Sequence, residues 1–556
     1  MTREITLTID GKPFVFKGLV GVTLEEGDPD ATAALGRAGL HVRQAVDLAP
    51  VTDASGMYKN LVAGEWVSPP ATVIRYENRA PADRSRVLGF VPETAPAEVD
   101  RACALADGAF DAWRASSGDL RTKAMLRVGE LLSERNAELC AIVTREMGKS
   151  LRDAKLDVDE AIGVVEAVAP QGMSMTGDTY PNIVPGLAME CRVAPRGVAG
   201  IITPFNFPVA IPIAQIVAAL VSGNPVVWKP SHLVPESSHA LAKIVMAALR
   251  ETAARLGATV PPGVFSMVQG DAVPGEAVVR HPAVRTISFT GSKAVGDAVG
   301  SLGESLGKRV MKECGGINLF YVHRSANLPR AARSLVYGKT ITSGQRCTSI
   351  QEVLCDAEVY DAFKAEVLKL VPEVVAGPGD SAEIARAAFA LPPLVSAEQQ
   401  ARFGGLIAKA VEQGAHLWWQ QALPAGLAQR GYYAPLTFVE DVGPDNVLYS
   451  TEIFGPAGVL TRVSGLREAI GIINAKIGIV GCIDATDKDV TETFLDRVLR
   501  TRIDDGRHGT GCFWATKFGG DRGAGSGNPA LDEDMVFGYC IRKTVYRAYT
   551  PQDPAA

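Results

Sequence analysis

Two residues in this chain stand in settings suited to chemistry, a cysteine that could act as a nucleophile and a glutamate that could act as a general base. Ser343-Gly344-Gln345-Arg346-Cys347-Thr348 sets a thiol among glycine and polar neighbours, where backbone is accessible, rather than in the apolar company of a core cysteine. A thiol turns nucleophilic when its pKa is lowered, and Arg346 or a helix start after Cys347 supplies such a field. An inert buried thiol fits the same hexapeptide. Lys312-Glu313-Cys314-Gly315-Gly316 sets an acid before paired glycines. Buried near a sheet edge, that carboxyl would rise in pKa and serve as a general base; at the surface it is an acid ahead of a turn. Phe289-Thr290-Gly291-Ser292 turns a strand through glycine into a helix start. Its N–H groups and the Ser292 hydroxyl can hold a pyrophosphate, although an ordinary N-cap looks the same. No Gly-x-Gly-x-x-Gly follows any strand, so the usual dinucleotide fingerprint is missing.

The elements around these residues alternate. Gly197–Thr203 predicts a strand, followed by an apolar helix over Val209–Val221. Pro225–Trp228 predicts a second strand with a helix over Glu236–Leu256, Val264–Val268 a third, and Thr286–Thr290 a fourth. Strands and helices at this rhythm predict a parallel, doubly wound sheet, the platform on which dinucleotides bind. A second α/β stretch is expected from Leu319 to Val498, and a terminal strand at Thr544-Val545-Tyr546. Upstream, Val99, Ala102, Ala106, Phe110 and Trp113 recur at helical steps, as do Met125, Val128, Leu132, then Leu139, Val143 and Met147, with Gly148 placed to stop the last helix. Residues 1–59 look like a separate extension of unknown role. Ile5–Ile9 and Phe14–Phe16 flank Asp10-Gly11 as a hairpin, and a short helix is expected near Ala31–Val46.

Composition narrows the class. A net charge of -6 without a basic block argues against nucleic acid as a partner. No apolar run is long enough to span a bilayer, and the N-terminus lacks the pattern of a secretory signal, so no membrane partner and a cytoplasmic location are expected. Nine scattered cysteines suit a reducing compartment, and no His or Cys spacing points to a metal.

Taken together, these segments resemble the aldehyde dehydrogenase superfamily, of the NAD(P)-dependent, hydrolytic, non-acylating type. Pro204-Phe205-Asn206-Phe207-Pro208 resembles its Pro-aromatic-Asn-aromatic-Pro segment, and Lys229-Pro230-Ser231 its cofactor-ribose strand. Phe289–Ser292 is similar to its phosphate turn, Glu313–Gly316 to its Glu-Leu-Gly-Gly, Gly344–Cys347 to its nucleophile loop, and Glu452–Pro456 to its Glu-Ile-Phe-Gly-Pro. The six motifs stand in the family's order within a resemblance spanning about residues 60 to 550.

The resemblance implies Cys347 as nucleophile, Glu313 as the base that activates water, and Asn206 with the Cys347 backbone N–H as oxyanion donors. It implies cofactor contacts from Thr203, Pro204, Phe205, Lys229, Ser231, His232, Gly291, Ser292, Gly315, Glu452 and Phe454. The implied architecture is α/β: a doubly wound cofactor domain (60–177 and 198–312), an α/β catalytic domain (313–530) and a small β oligomerisation flap (178–197 and 531–556). A homodimer or homotetramer follows from such a flap.

Several departures bear on specificity. His232 stands where the family often has a Glu that binds both ribose hydroxyls. Losing that carboxylate, next to Lys229 and Ser231, inclines the reading toward NADP, with NAD the alternative. Arg346 before the nucleophile, with Asn206–Ala210, is similar to branches that oxidise semialdehydes; an arginine bonded to protein carbonyls is the other reading. Cys314 replaces a leucine. Asn474–Asp484 and Phe518–Gly523 follow the family's pattern loosely. Rival functions are a CoA-acylating dehydrogenase, a cysteine thioesterase, and a catalytically silent relative acting as a binding or structural protein.

Overall fold

The computed structural model describes residues 46–70, 74–527 and 534–549, together with the strands Glu4–Ile9 and Lys12–Lys17. The chain divides into two compact units, Met1–Leu48 and Ala49–Ala556. In the first, the two strands pair antiparallel with Ile9 opposite Lys12, as the turn signal between them predicts. The expected helix at 31–46 falls almost wholly outside the described residues.

Two seven-stranded sheets organise the second unit. The first runs in the order Arg309–Cys314, Val284–Gly291, Val198–Ile202, Val226–Lys229, Phe265–Met267, Asn60–Val62, Glu65–Val67. Its first five strands are mutually parallel, and the hairpin of the last two closes the edge antiparallel. Helices Ala210–Val221, Pro235–Leu256, Ala272–Arg280 and Lys293–Ser305 make the crossovers. Val198–Ile202 is buried along its whole length, so its unbroken apolar run is what a strand covered on both faces requires. The sequence neighbours of Val198–Ile202 lie on one side of it and Val284–Gly291 on the other. The order therefore reverses between these two strands, and a doubly wound sheet opens its crevice beyond their carboxyl ends.

The second sheet runs His416–Gln420, Thr437–Glu440, Ala457–Val463, Ile350–Asp356, Asn318–Val322, Val480–Asp484, Arg502–Asp505. All neighbours are parallel except the first pair. A core of Phe320, Leu335, Val353, Phe363, Phe389 and Phe438 fills one face. A third, antiparallel sheet joins Thr179–Tyr180, Leu187–Pro195 and Cys540–Ala548, with nine residue pairs between the two long strands.

Helices Pro96–Ala115, Gly118–Glu134 and Asn136–Met147 occupy the stretch whose periodicity predicts them, and Gly148 caps the last at φ 90°. Two elements near the site escaped the sequence reading. The helix Leu151–Val168 lacks a clean apolar stripe because Asp153, Asp157 and Gly163 face inward. The edge hairpin at Asn60–Val67 is too short to show a period. Among the described residues, no helix is long and apolar enough to cross a membrane, and no cluster of His, Cys, Asp or Glu could hold a metal.

Candidate active site

The crevice beyond the first sheet's switch point meets the amino ends of the second sheet, and the two enclose a cleft. Its walls carry Pro204, Phe205, Asn206, Gly291, Ser292, Glu313, Gly315, Cys347, Glu452 and Phe454. The first sheet supplies the segments that follow its strands: 203–207 after Val198–Ile202 and Ser292 after Val284–Gly291. The second supplies segments that precede its strands: Cys347 ahead of Ile350–Asp356 and Glu452 ahead of Ala457–Val463. The motifs, scattered over 250 residues of sequence, thus converge because one sheet presents its carboxyl ends to the other's amino ends.

The Cys347 loop is held in place at several points. After the helix Leu328–Thr340 the backbone turns through Thr342 and Ser343, both at φ 52°, and Gly344 at φ 69°. Non-glycine residues in the left-handed region cost about 1 to 2 kcal/mol each, so the surroundings must enforce the turn. Asp153 accepts from the Thr342 N–H at 2.9 Å, the Ser343 hydroxyl donates to the Pro392 carbonyl, and Gln345 Oε1 accepts from Val395 N–H at 3.1 Å. Asn318 Nδ2 donates to the carbonyls of Cys347 (2.7 Å) and Ser349 (3.1 Å). A Cβ on Gly344 would stand 2.2 Å from the Gly455 carbonyl oxygen, so the backbone of the Glu452–Pro456 segment passes where only glycine fits.

Asn206 donates through Nδ2 to the Gln345 carbonyl at 3.1 Å, tying the first sheet's loop to the thiol's loop. An amide has two N–H donors, so one remains. Cys347 is half-buried, and burial, reinforced by the carboxyls of Glu452, Glu313 and Glu160, pushes its thiol up to about 12. Before any ligand enters, then, the sulfur rests as a thiol. Glu313 is the penultimate residue of the edge strand Arg309–Cys314; its Oε2 accepts from Gly520 N–H at 2.6 Å, while its buried Oε1 has no partner. Desolvation holds this carboxyl well above the usual range. Cys314, unexplained by sequence, has a physical reason here: a Cβ on Gly296 would lie 2.5 Å from its buried Sγ, so the sulfur fills space that the glycine leaves.

The residues expected to hold a dinucleotide fit one. Ser292 stands at the N-cap of Lys293–Ser305 and makes no capping bond of its own, which leaves its hydroxyl for a phosphate at the positive helix end. Gly315 faces Glu452, whose carboxylate would lie 2.2 Å from a Cβ there. Glu452 accepts from Gly316 N–H at 3.2 Å, and burial lifts it to about 7. Phe454, at φ 51°, meets Phe205 edge-on with ring centroids 6.0 Å apart. Thr203 is turned away from the cleft, its hydroxyl accepting from Trp228 Nε1 at 2.9 Å. Lys229, Ser231 and His232 lie at the far end of the sheet's carboxyl edge. Lys229 Nζ donates to the carbonyls of Gly270 and Asp271, both at 3.2 Å, and burial lowers it to about 8. His232, read as able to attract a 2′-phosphate or to point to solvent, pairs with Asp271 at 3.2 Å.

Arg346 is buried and absent from the cleft wall. Its Nε donates to Thr342 Oγ1 at 3.1 Å, its guanidinium lies 4.8 Å from the Phe207 ring centroid, and Nη2 is without a partner. Lys149, paired with Asp157 at 3.0 Å, lies over the same ring at 4.0 Å. Sequence reasoning missed several wall residues, Glu160 and Cys512 among them. Glu160 accepts from the Cys512 thiol at 2.7 Å, and burial raises it to about 7. Glu160 sits in a charged helix where an acid passes for solvent-facing; Cys512 lies in the segment whose motif is weakest.

Chain comparisons agree with this geometry. The model of the aldehyde dehydrogenase family matches residues 66–545. An alpha-ketoglutaric semialdehyde dehydrogenase of Bacillus subtilis is 31% identical over 493 residues, covering 88% of this chain and 98% of that protein. A malonate-semialdehyde dehydrogenase of Listeria innocua is 31% identical over 443 residues, 79% of this chain and 86% of its own. Among solved structures, an NAD-dependent aldehyde dehydrogenase from Sinorhizobium meliloti superposes with a TM-score of 0.82 at 27% identity, over 91% of this chain and 98% of the other. An NADP-dependent enzyme from E. coli superposes at 0.80 and 26%, over 88% and 98%. The cleft between the two parallel sheets is lined by a thiol, an amide and a carboxyl, Cys347, Asn206 and Glu313. The chain belongs to the aldehyde dehydrogenase family and is an NAD(P)-dependent aldehyde dehydrogenase.

Proposed function

We propose that Cys347 attacks the aldehyde carbon, that Asn206 and the Cys347 backbone N–H stabilise the oxyanion, and that Glu313 activates the water that releases the acid. The observation carrying this reading is the buried Glu313 Oε1 without a partner, in the same cleft as Cys347 and with the opposite oxygen anchored on Gly520. A carboxyl held that way keeps one oxygen for water. Bound NAD(P) supplies the two-electron acceptor that turns the addition product of the aldehyde into a thioester. Ser292, Gly291, Gly315, Glu452, Phe205, Pro204 and Phe454 would hold it along the cleft, with Lys229, Ser231 and His232 at the adenosine end and Thr203 supporting the turn between. We assign 60–177 with 198–312 to cofactor binding and 313–530 to catalysis, in a cytoplasmic enzyme.

For the substrate we infer an aldehyde bearing a carboxylate. The semialdehyde dehydrogenases among the relatives support this, as does the positive field of Arg346, whose Nη2 is unpartnered, near the wall residue Phe207. Arg346 acts at a distance, since its guanidinium stops short of the wall.

Replacing Cys347 with Ala should abolish both aldehyde oxidation and any ester hydrolysis; retained oxidation removes the thiol from the reaction. Glu313→Gln should give one rapid equivalent of reduced cofactor and then turn over roughly 10²- to 10⁴-fold more slowly, the usual worth of a general base. Release of free acid without CoA separates this chemistry from acyl transfer to CoA, which needs no base for water.

A further inference from the structure

We propose that Asp271 reads the adenosine ribose and makes the enzyme prefer NAD over NADP. The strands Val226–Lys229 and Phe265–Met267 are parallel neighbours, with Trp228 opposite Met267, so the loops that follow them lie side by side. Lys229 Nζ joins the two by donating to the carbonyls of Gly270 and Asp271. An ammonium has three donors, so one is left for a ribose hydroxyl.

From the second loop the Asp271 side chain meets His232 of the first: Oδ1 lies 3.2 Å from the ring Nδ1, and the carboxylate is half-exposed. Tyr76 packs on the other side of that ring, centroids 5.0 Å apart at 35°. The imidazole is thereby committed to orienting a carboxylate. The acid that position 232 lacks is supplied from position 271.

The charge count at this end also differs from what the two cations alone suggest. Glu93 accepts from the N–H groups of Asp271 (2.7 Å) and Val273 (2.9 Å), which sets a second, nearly buried carboxylate beside the first. Two acids face the single fixed cation, Lys229, so a 2′-phosphate would arrive as a dianion in a field with no positive excess, against the exposed oxygens of Asp271. A 2′-hydroxyl would donate to those oxygens. Asp271 also stands at the N-cap of Ala272–Arg280 without making a capping bond, so its side chain is not committed to holding the helix.

The test is equilibrium binding of NADH and NADPH, each followed by its own nicotinamide fluorescence with no aldehyde present, to the wild-type chain, Asp271→Asn and Asp271→Ser. The wild type should bind NADH at least tenfold more tightly, and both variants should narrow that ratio at least tenfold, mainly by tightening NADPH. Equal affinities or an NADPH preference in the wild type would overturn the proposal. A ratio that neither variant moves would assign the preference elsewhere and overturn it equally. Loss of both affinities in a variant whose thermal unfolding is unchanged would make Asp271 a support of the site rather than its discriminator, and also overturns it. Because no aldehyde is present, the outcome is independent of the roles proposed for Cys347 and Glu313.

Discussion

At the scale of single residues, burial works against charge throughout the resting site. It pushes the Cys347 thiol up to about 12, so the sulfur is protonated at neutral pH, and it holds the Glu313 carboxyl well above the ordinary carboxylate range. A group whose pKa is raised is neutral below that value and charged above it. Steady-state turnover should therefore climb with pH through a range above that of an ordinary carboxylate, as Glu313 loses its proton, and then level off. The Glu313→Gln variant should lose that climb in its deacylation rate; a flat wild-type profile would place the limiting base elsewhere. Removing the free amide donor with Asn206→Ala should cost about 10² to 10³ in kcat, the scale of one oxyanion donor, while cofactor affinity stays within a few-fold. Cys347, Glu313 and Asn206, which line one cleft, could be singled out in sequence because each lies in a contiguous motif. The pairing of His232 with Asp271 was not: it bridges two loops 39 positions apart, and only the neighbouring of their strands brings them together. Reading His232 beside Lys229 alone counts the cations and leaves out Asp271 and Glu93.

At the scale of elements, the nucleophile turn is the most constrained piece of backbone in the cleft. Of three successive residues at positive φ, Thr342 is held by Asp153 and Ser343 by Pro392, and the next residue, Gln345, is held by Val395. Gly344→Ala adds a methyl 2.2 Å from the Gly455 carbonyl at a φ of 69°, so something must shift. The expected outcome is a soluble protein with activity reduced at least a hundredfold and Cys347 alkylated at an altered rate, measured with a maleimide. Wild-type activity in that variant would show the turn to be more pliant than its contacts suggest. The alternation of strands and helices around this turn was readable because each strand is a short apolar run and each helix begins and ends on a recognisable breaker. The helix Leu151–Val168 was not, since its inward acids serve the loops: Asp153 holds Thr342, Asp157 holds Ala210 N–H at 2.9 Å, and Glu160 lines the cleft. Polar residues that support a site break the very periodicity by which a helix is recognised.

At the scale of the molecule, the antiparallel sheet has an unpaired side. Cys191 donates its N–H to Asp178 on the inner strand, so it and its register partner Thr544 form a non-hydrogen-bonded pair, and the Thr544 N–H points away from Leu187–Pro195. Among the described residues nothing pairs with that outer side, along which Tyr546 and Tyr549 are exposed. An edge of this kind favours a second copy of the chain, and a dimer or tetramer is our reading of it. Thr544→Pro removes one outward donor and leaves the inner ladder whole. Sedimentation should then show a smaller assembly with unchanged far-ultraviolet dichroism; an unchanged assembly would place the interface on another surface. The sequence carried the strand itself but not which of its sides is free, since that depends on the hydrogen-bond phase of the pairing.

The anchoring of Glu313 on Gly520 has a consequence for how the molecule is made. Cys314 N–H donates to the Ala524 carbonyl, and Glu313 also bridges to Gly525, so the edge strand is stitched to a segment some 210 positions further along. A chain emerging from the ribosome can complete its dinucleotide sheet at Cys314, and the contacts of its thiol loop by Gly455, while the Gly520 donor that fixes the acid is still untranslated. On the role we propose for Glu313, the means of releasing the acid is oriented only with the last tenth of the polypeptide.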